Sequence, residues 1–145
     1  MKIRDLNGEK VDWKPNGQII TASDTRSRSQ LHLVARKLLY DLFPTLPILE
    51  EVAIPIRRGT TQYFDFFLTG VKVAVEVHGQ QHFKFNSHFH ASMSEFLRQR
   101  NRDDDKREWC EVNNITLLEL PYNEKIEEWT QTIQSRWPLK VKWTR

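Results

Sequence analysis

Residues 63–83 read YFDFFLTGVKVAVEVHGQQHF, and the interpretation of the whole chain depends on this stretch. It contains two apolar and aromatic runs, typical of neighbouring β-strands, separated by Thr69 and Gly70. Each run nevertheless contains one acid, Asp65 in the first and Glu76 in the second. Because a charged group is costly to bury without a partner, these two acids indicate a functional site.

The alternation within these strands predicts where the two acids lie. Valines at every second position from Val71 to Val77 predict one apolar face, with Glu76 and His78 on the other. If the strands pair, Asp65 and Glu76 converge near the strand ends. Two neighbouring carboxylates repel each other, and a divalent cation between them removes that penalty. Since Mg²⁺ takes oxygen ligands, commonly one or two carboxylates plus waters, the pair predicts a magnesium-type site.

Length and composition limit the class of protein. The chain has 145 residues, 39% hydrophobic and 28% charged, which predicts one globular domain over residues 1–145. It has no apolar run long enough to span a bilayer and no signal-peptide pattern, so we expect no membrane contact. The single cysteine, Cys110, excludes an internal disulfide and is typical of a reducing cytoplasm. A net charge of +3 and a pI of about 9.1 permit a polyanionic partner.

Apolar spacing and turn residues predict the order helix, three strands, helix, strand, helix. The predicted elements lie at residues 31–43, 50–56, 63–68, 71–77, 94–112, 115–122 and 123–137. This mixture indicates an α/β sheet packed between helices. Residues 1–27 contain two Asn-Gly pairs, which favour hairpins, and are predicted to form a β arm. Residues 138–145 are predicted to form a basic tail, with the pattern of a short edge strand from 139.

The helix predicted at 94–112 contains a further group of acids. Its apolar stripe is marked by Met93, Phe96, Leu97 and Cys110. Extended at about 100° per residue, the stripe passes through Asp103. We therefore expect Asp103 to face inward, Asp104 to lie at the edge of the stripe and Asp105 to point to water.

Taken together, these residues resemble the PD-(D/E)XK nucleases, in which one strand carries an acid and the next carries Glu-x-Lys. Asp65 stands at the first position and Glu76-Val77-His78 at the second. The chain is most similar to the branch of very-short-patch-repair endonucleases and small homing endonucleases with a Glu-Asp-His-Asp signature. Members of that branch read E-x-D-G-x-x-H and then carry D-x-x-R on a helix. Here the matching stretches are residues 76–82 and 103–106, and the resemblance covers residues 29–129.

The resemblance implies a restriction-endonuclease-like core, with a central mixed β-sheet flanked by helices. It also implies a deoxyribonuclease that hydrolyses phosphodiester bonds with Mg²⁺ or Mn²⁺, by nicking or by double-strand cleavage. In this family, the position of Asp65 provides the main metal ligand. Glu76 and the backbone carbonyl of Val77 complete the ligands from the protein. The distribution of the family implies a phage or bacterial origin, and hence the cytoplasm of a bacterial host.

Further site roles also follow from the resemblance. His82 is expected to act as a proton shuttle, since its ordinary pKa suits that task. His78 is expected beside the scissile phosphate, in the place usually held by Lys. Asp103 is expected to orient a histidine or to assist a second metal ion.

The chain departs from the family pattern at three places. His78 stands where the nucleases usually carry Lys and the named branch carries Asp, and Lys106 stands where the relatives carry Arg. The first helix lacks the Glu that often faces the site in such nucleases. His32 is the nearest candidate for that corner of the site, and Glu50 or Glu51 on the first strand is the other.

A nuclease of this type binds DNA mainly through phosphate contacts. RNA is a second possible partner, and the oligomeric state is left open. The candidate phosphate-binding residues are Arg26, Arg28, Arg57, Arg58, Lys84, Arg98, Arg100, Lys140 and Lys142.

Two alternatives compete with the nuclease interpretation. The histidines and Cys110 are potential zinc ligands, although structural zinc sites usually contain several cysteines. A catalytically silent module with the nuclease fold, which binds nucleic acid or a protein partner, is the other alternative, because fold does not determine function.

Overall fold

The computed structural model of the chain describes residues 1–20, 29–80, 83, 85, 87 and 90–138. In chain order its elements are β1 (Lys2–Arg4), β2 (Lys10–Asp12), β3 (Gln18–Ile19), α1 (Gln30–Leu42), β4 (Ile48–Arg57), β5 (Thr60–Leu68), β6 (Val73–His78), α2 (Met93–Val112), β7 (Thr116–Pro121) and α3 (Ile126–Arg136). The predicted order of helix, three strands, helix, strand and helix is confirmed from α1 to α3.

A mixed sheet of five strands, in the order β3-β4-β5-β6-β7, forms the centre of the molecule. Neighbouring strands are antiparallel from β3 to β6, whereas β6 and β7 are parallel. A parallel pair needs a long crossover, and α2 lies within this one. The carboxyl ends of β6 and β7 therefore meet at the same edge of the sheet.

The N-terminal arm is partly as predicted. β1 and β2 form a separate antiparallel hairpin whose connection contains Asn7-Gly8, with Gly8 at a φ of 84°. Gly17 does not form a second hairpin and instead lies against β4, where a Cβ atom would come within 2.6 Å of the carbonyl oxygen of Glu50. Residues 21–27 of the predicted arm and 139–145 of the predicted tail lie outside the described residues.

Apolar side chains form one cluster on each face of the sheet. The first cluster contains residues of α1, α3, β5, β6 and β7, such as Leu39, Val75 and Trp129. The second contains residues of the N-terminal hairpin, β4, β5 and α2, including Trp13 and Trp109, whose ring centroids are 5.2 Å apart. All four valines at positions 71, 73, 75 and 77 belong to or border the first cluster, which confirms their predicted shared face.

Regular alternation fails in β4 and β5 at neighbouring positions. Ile48 and Val52 are an even number of residues apart, yet they lie in different clusters, and so do Phe64 and Phe66. Glu51 lies at the switch in β4 and has a φ of 57°, which is unfavourable for a residue with a side chain. Asp65 lies between these two phenylalanines, at the switch in β5. The side chains of β5 therefore change from one face of the sheet to the other beside the candidate site.

The predicted stripe on α2 was only partly correct. Phe96 and Cys110 are buried, but the side chains of Met93 and Leu97 are 54% and 52% exposed. Trp109, which was not assigned to the stripe, is fully buried in the second cluster. Within the described part of the chain, none of the helices has the length and apolar character needed to traverse a membrane.

Candidate active site

A cleft of about 530 Å³ opens where β5 and β6 separate. Its walls come from the start of α1, from both strands and the turn after β6, from α2 and from the residue after β7. The lining includes His32, Asp65, Glu76, Val77, His78 and Lys106. The structure thus brings together, in one cavity, side chains from four separate elements that the sequence had singled out.

Asp65 and Glu76 lie at the opening of the sheet. Paired residues in β5 and β6 end at Phe66 and Val75, so the two acids occupy the next position of the register. There the carboxylates take the place of ladder partners: the Asp65 amide donates to Glu76 Oε2 at 3.0 Å and the Val77 amide donates to Asp65 Oδ2 at 2.8 Å. These reciprocal bonds hold both carboxyl groups side by side with restricted freedom.

This proximity changes the acidity of Asp65. Its burial, the negative charge of Glu76 and a hydrogen bond to the same carboxyl group raise the pKa of Asp65 to about 7. The Val77 amide and His32 oppose the change more weakly. A third of the Asp65 side chain remains exposed to the cleft. Near neutral pH the pair therefore retains a proton for part of the time, although both carboxyl groups are ordinarily ionised at that pH.

Lys106 of α2 is the cation nearest to Glu76. Its Nζ atom forms a salt bridge with Glu76 Oε1, and the two side chains are only 17% and 5% exposed. The match of Asp103-x-x-Lys106 to the D-x-x-R pattern therefore corresponds to a side chain that reaches the cleft. In the sequence, the position of Lys106 three residues after the inward-facing Asp103 indicated that it belongs to the site.

A buried charge network supports the cleft from the side of α1. Ser29 accepts the amide of His32 at 3.2 Å and so begins the helix, and His32 then points into the sheet. Its Nδ1 lies 3.9 Å from Asp65 Oδ1, while Nε2 contacts Glu50 Oε1. Arg36, one turn later, donates to the same Glu50 oxygen at 2.7 Å.

Glu50, and not Glu51, is therefore the strand acid behind the site. Glu50 is fully buried, whereas Glu51 is exposed, because the positive φ at Glu51 reverses the facing of β4. Burial by itself raises the pKa of Glu50, but the hydrogen bonds and charges of Arg36 and His32 outweigh it and hold the pKa below its usual value. Of the two strand acids that the sequence left open, Glu50 lies at the site and Glu51 does not, and Arg36 was missed. A charged residue one helical turn after His32 was the only available signal.

A second network surrounds His78 at the end of β6. His78 is buried, and its Nε2 lies 2.9 Å from Glu119 Oε1 on β7. Arg107 of α2 also bonds to Glu119. Burial opposes ionisation of Glu119, but the hydrogen bonds of His78 and Arg107 prevail and lower its pKa to about 2. Sequence reasoning missed Glu119, although an acid within an apolar strand was the same signal that identified Asp65 and Glu76.

The acids of α2 lie on different sides of the helix. Asp103 is buried, which confirms its predicted inward direction, and Asp104 is exposed. Asp105 was predicted to point to water but is half-buried in a bidentate ion pair with Arg57. The correction follows from packing, because α2 crosses close to β4 at this turn and gives the Arg57 side chain a partner.

The candidate phosphate-binding residues are dispersed. Arg57 is engaged by Asp105, and Arg58 forms a salt bridge with Glu9. Arg98 and Arg100 are exposed on α2. Five further candidates lie outside the described residues: Arg26, Arg28, Lys84, Lys140 and Lys142. His82, the expected proton shuttle, also lies outside them.

The cleft contains a small set of oxygen atoms that a metal ion could use. Among residues 1–20, 29–80, 83, 85, 87 and 90–138, no group of three or more His, Cys, Asp or Glu side chains is placed to hold a metal ion. Asp65 and Glu76 form a carboxylate pair beside Val77 in the cleft. Cys110 is buried away from the cleft lining, and its burial raises the pKa of the thiol, which disfavours the thiolate that zinc binds.

About half of the chain is similar in sequence to proteins of three viruses. The chain is 44% identical over 75 residues to "Uncharacterized protein 307L" of Invertebrate iridescent virus 6, covering 49% of this chain and 38% of that protein. It is 34% identical over 70 residues to "Uncharacterized protein 033L" of Invertebrate iridescent virus 3, covering 48% and 36%. It is 37% identical over 68 residues to "Uncharacterized protein 094L" of Frog virus 3 (isolate Goorha), covering 46% and 44%.

The chain spans less than half the length of these relatives. No family model matches it, and no solved structure matches it. The names of these relatives state no activity. A phage or bacterial origin therefore stays a prediction, and the functional argument rests on the geometry of the cleft.

Proposed function

We propose that this chain is a metal-dependent DNA endonuclease of the PD-(D/E)XK type, which hydrolyses phosphodiester bonds with Mg²⁺ or Mn²⁺. The observation that carries the proposal is the carboxylate pair of Asp65 and Glu76, held by reciprocal bonds to backbone amides where β5 and β6 separate. Val77 lines the same cleft, and its carbonyl oxygen is the third proposed ligand. The mixed five-stranded sheet with its three helices is compatible with the core of such nucleases.

The donor set fits a hard divalent cation. Both side chains supply oxygen, and Mg²⁺ commonly binds one or two carboxylates and completes its shell with water. The mutual repulsion that raises the pKa of Asp65 to about 7 is removed when a divalent charge lies between the carboxylates. A bound ion supplies polarisation of the scissile phosphate and a water ligand of lowered pKa.

The remaining residues of the cleft either place a positive charge near the phosphate or hold other side chains of the site in position. Lys106 places a positive charge beside Glu76, where it can stabilise negative charge on a phosphate in the cleft. Glu50 fixes one nitrogen of the His32 ring, and the other nitrogen lies 3.9 Å from Asp65 Oδ1, near enough for electrostatic attraction but too far for a direct hydrogen bond. Glu119 and Arg107 hold His78 in the cleft wall. His82 remains the proposed proton shuttle.

A catalytically silent module that binds nucleic acid or a protein partner is the second candidate. The observation that favours it is the state of His78, which stands where these nucleases carry Lys. His78 is buried and bonded to Glu119, so it offers no exposed cation to a phosphate. In this alternative, Lys106 acts only as the structural partner of Glu76.

The decisive experiment incubates purified protein with supercoiled, linear and branched DNA, and with RNA, in Mg²⁺, in Mn²⁺ and in EDTA. We expect metal-dependent cleavage of DNA that Asp65→Asn and Glu76→Gln each reduce at least about a hundredfold, since they remove ligands and not supporting groups. Asp41→Asn is the matched control, because Asp41 is an exposed carboxylate on α1.

Full cleavage by both site variants would reject the assigned centre. Binding of DNA without cleavage by the wild-type protein and by both variants would favour the silent module. Cleavage of RNA but not DNA would retain the metal centre and change the substrate.

A further inference from the structure

Lys106 and the proposed metal compete for the same carboxylate oxygen. In this structure both oxygens of Glu76 have donors: Lys106 Nζ at Oε1 and the Asp65 amide at Oε2. The Asp65 carboxylate likewise accepts the Val77 amide through Oδ2. Each carboxylate oxygen can hold more than one partner, so the cation does not displace a donor by occupancy alone. What it meets beside Oε1 is the positive charge of the Lys106 ammonium, which repels it.

Lys106 is the donor that can leave. The two amides belong to β5 and β6 and cannot move without breaking the strands, whereas the ammonium lies at the end of a four-carbon chain with freely rotating bonds. Like charges also repel, so a divalent ion at Glu76 drives the ammonium away. Entry of the cation thus breaks the ion pair between Lys106 and Glu76 and leaves Lys106 without its carboxylate partner.

The released ammonium remains within the cleft, because Lys106 is part of its lining. Arg102 lies one helical turn before Lys106 on α2 and is exposed. The same side of the helix therefore carries a second cation. An anionic group that enters the cleft finds a partner in Lys106 only when Glu76 has released it. The backbone phosphate of a nucleic acid has the charge and geometry to take that place.

We propose that Lys106 exchanges between Glu76 and a nucleic-acid phosphate, so that divalent-cation binding and nucleic-acid binding strengthen each other. This inference rests on the proposed function, whose metal ligands it uses. By linkage the coupling is reciprocal: the nucleic acid raises the affinity for the cation by the same factor as the cation raises the affinity for the nucleic acid. The site then binds its metal more tightly when the nucleic acid is present.

The test measures Mn²⁺ affinity by calorimetry, with and without a short phosphorothioate DNA duplex that resists cleavage. We expect the duplex to tighten Mn²⁺ binding about tenfold or more in the wild-type protein, within the usual range of such couplings. Lys106→Met should bind Mn²⁺ about tenfold more tightly than the wild type without DNA, because its competitor is gone. In this variant the duplex should add clearly less.

Three further variants separate exchange from general damage. Lys106→Arg retains the charge and should restore weak Mn²⁺ binding with a strong effect of DNA. Lys106→Gln retains a hydrogen-bond donor without the charge and serves where the methionine variant does not fold. Lys37→Met removes a lysine that is 79% exposed on α1 and should match the wild type.

The outcomes distinguish this inference from the proposed function. If the wild type binds Mn²⁺ and cleaves DNA, but Lys106→Met and Lys106→Gln have wild-type or weaker Mn²⁺ affinity, the exchange is refuted and the nuclease remains. An equal effect of the duplex in the wild type and in both uncharged variants also refutes it. If the wild type binds no Mn²⁺ with or without DNA, both proposals fail.

Discussion

Replacing Asp65 with asparagine should stabilise the protein in the absence of metal, although it removes a proposed ligand. Burial and the charge of Glu76 raise the pKa of Asp65 from 3.8 to about 7. In the unfolded chain the group ionises near its ordinary value, so between these pH values the folded state holds more protons. Stability must then fall as pH rises from about 4 to about 7, and the full cost is present above that range.

The size of the effect follows from the same pKa values. Each tenfold change in acidity corresponds to about 1.4 kcal/mol, so a rise from 3.8 to about 7 would cost about 4 kcal/mol in a fully buried site. A third of the Asp65 side chain is exposed, and solvent screening reduces the expected cost to about 1–2 kcal/mol. Asparagine can still accept the Val77 amide and can donate to Glu76, so the local hydrogen bonds are retained.

Urea unfolding in EDTA at pH 8 and at pH 4 measures this difference. We expect Asp65→Asn to be more stable than the wild type by about 1–2 kcal/mol at pH 8 and nearly equal to it at pH 4. The control, Asp41→Asn, should differ by less than about 0.5 kcal/mol at both pH values. Added Mn²⁺ should stabilise the wild type and not the Asp65 variant. A variant that is less stable than the wild type at pH 8 would refute the argument that the carboxylates repel each other.

Two further stability measurements test the networks on either side of the cleft. Arg36→Met should lower the free energy of unfolding in urea by about 3 kcal/mol, because it leaves the fully buried Glu50 without its arginine partner. The control, Lys37→Met at an exposed position, should change it by less than about 0.5 kcal/mol. Equal losses in the two variants would contradict this account. Glu119→Gln should cost about 1–2 kcal/mol at pH 7, and the difference from the wild type should vanish as pH falls from about 4.5 to about 2, since a lowered pKa in the folded state contributes stability that acid removes. A difference that does not change over this pH range would show that Glu119 acts through packing and not through its charge.

Local sequence patterns were enough for several features of this protein. The alternating valines of β6 share one face, the helical spacing of α1 was correctly recognised, and Asp103 is buried. These features depend on residues within a single element, where the period of the backbone fixes which side chains lie together. The two strand acids were identified for a similar local reason, since a charge within an apolar run is unusual wherever the strand lies.

Local patterns failed where an element met a particular neighbour. Met93 and Leu97 follow the helical period but are exposed. Asp105 should face water by the same period, yet it pairs with Arg57, 48 residues away in the chain. Helical periodicity states which residues share a face but not how far along the helix that face is covered.

The charge partners in the cleft depend on the folded arrangement alone. Glu50 enters the site in place of Glu51 because one residue with a positive φ reverses the strand. Glu119 meets His78 across 41 residues because the crossover through α2 sets β7 parallel to β6. The partner of a charged side chain is set by strand register and backbone twist, which depend on many residues at once. The tendency of a side chain to be buried, by contrast, is already visible in its nearest neighbours in the sequence.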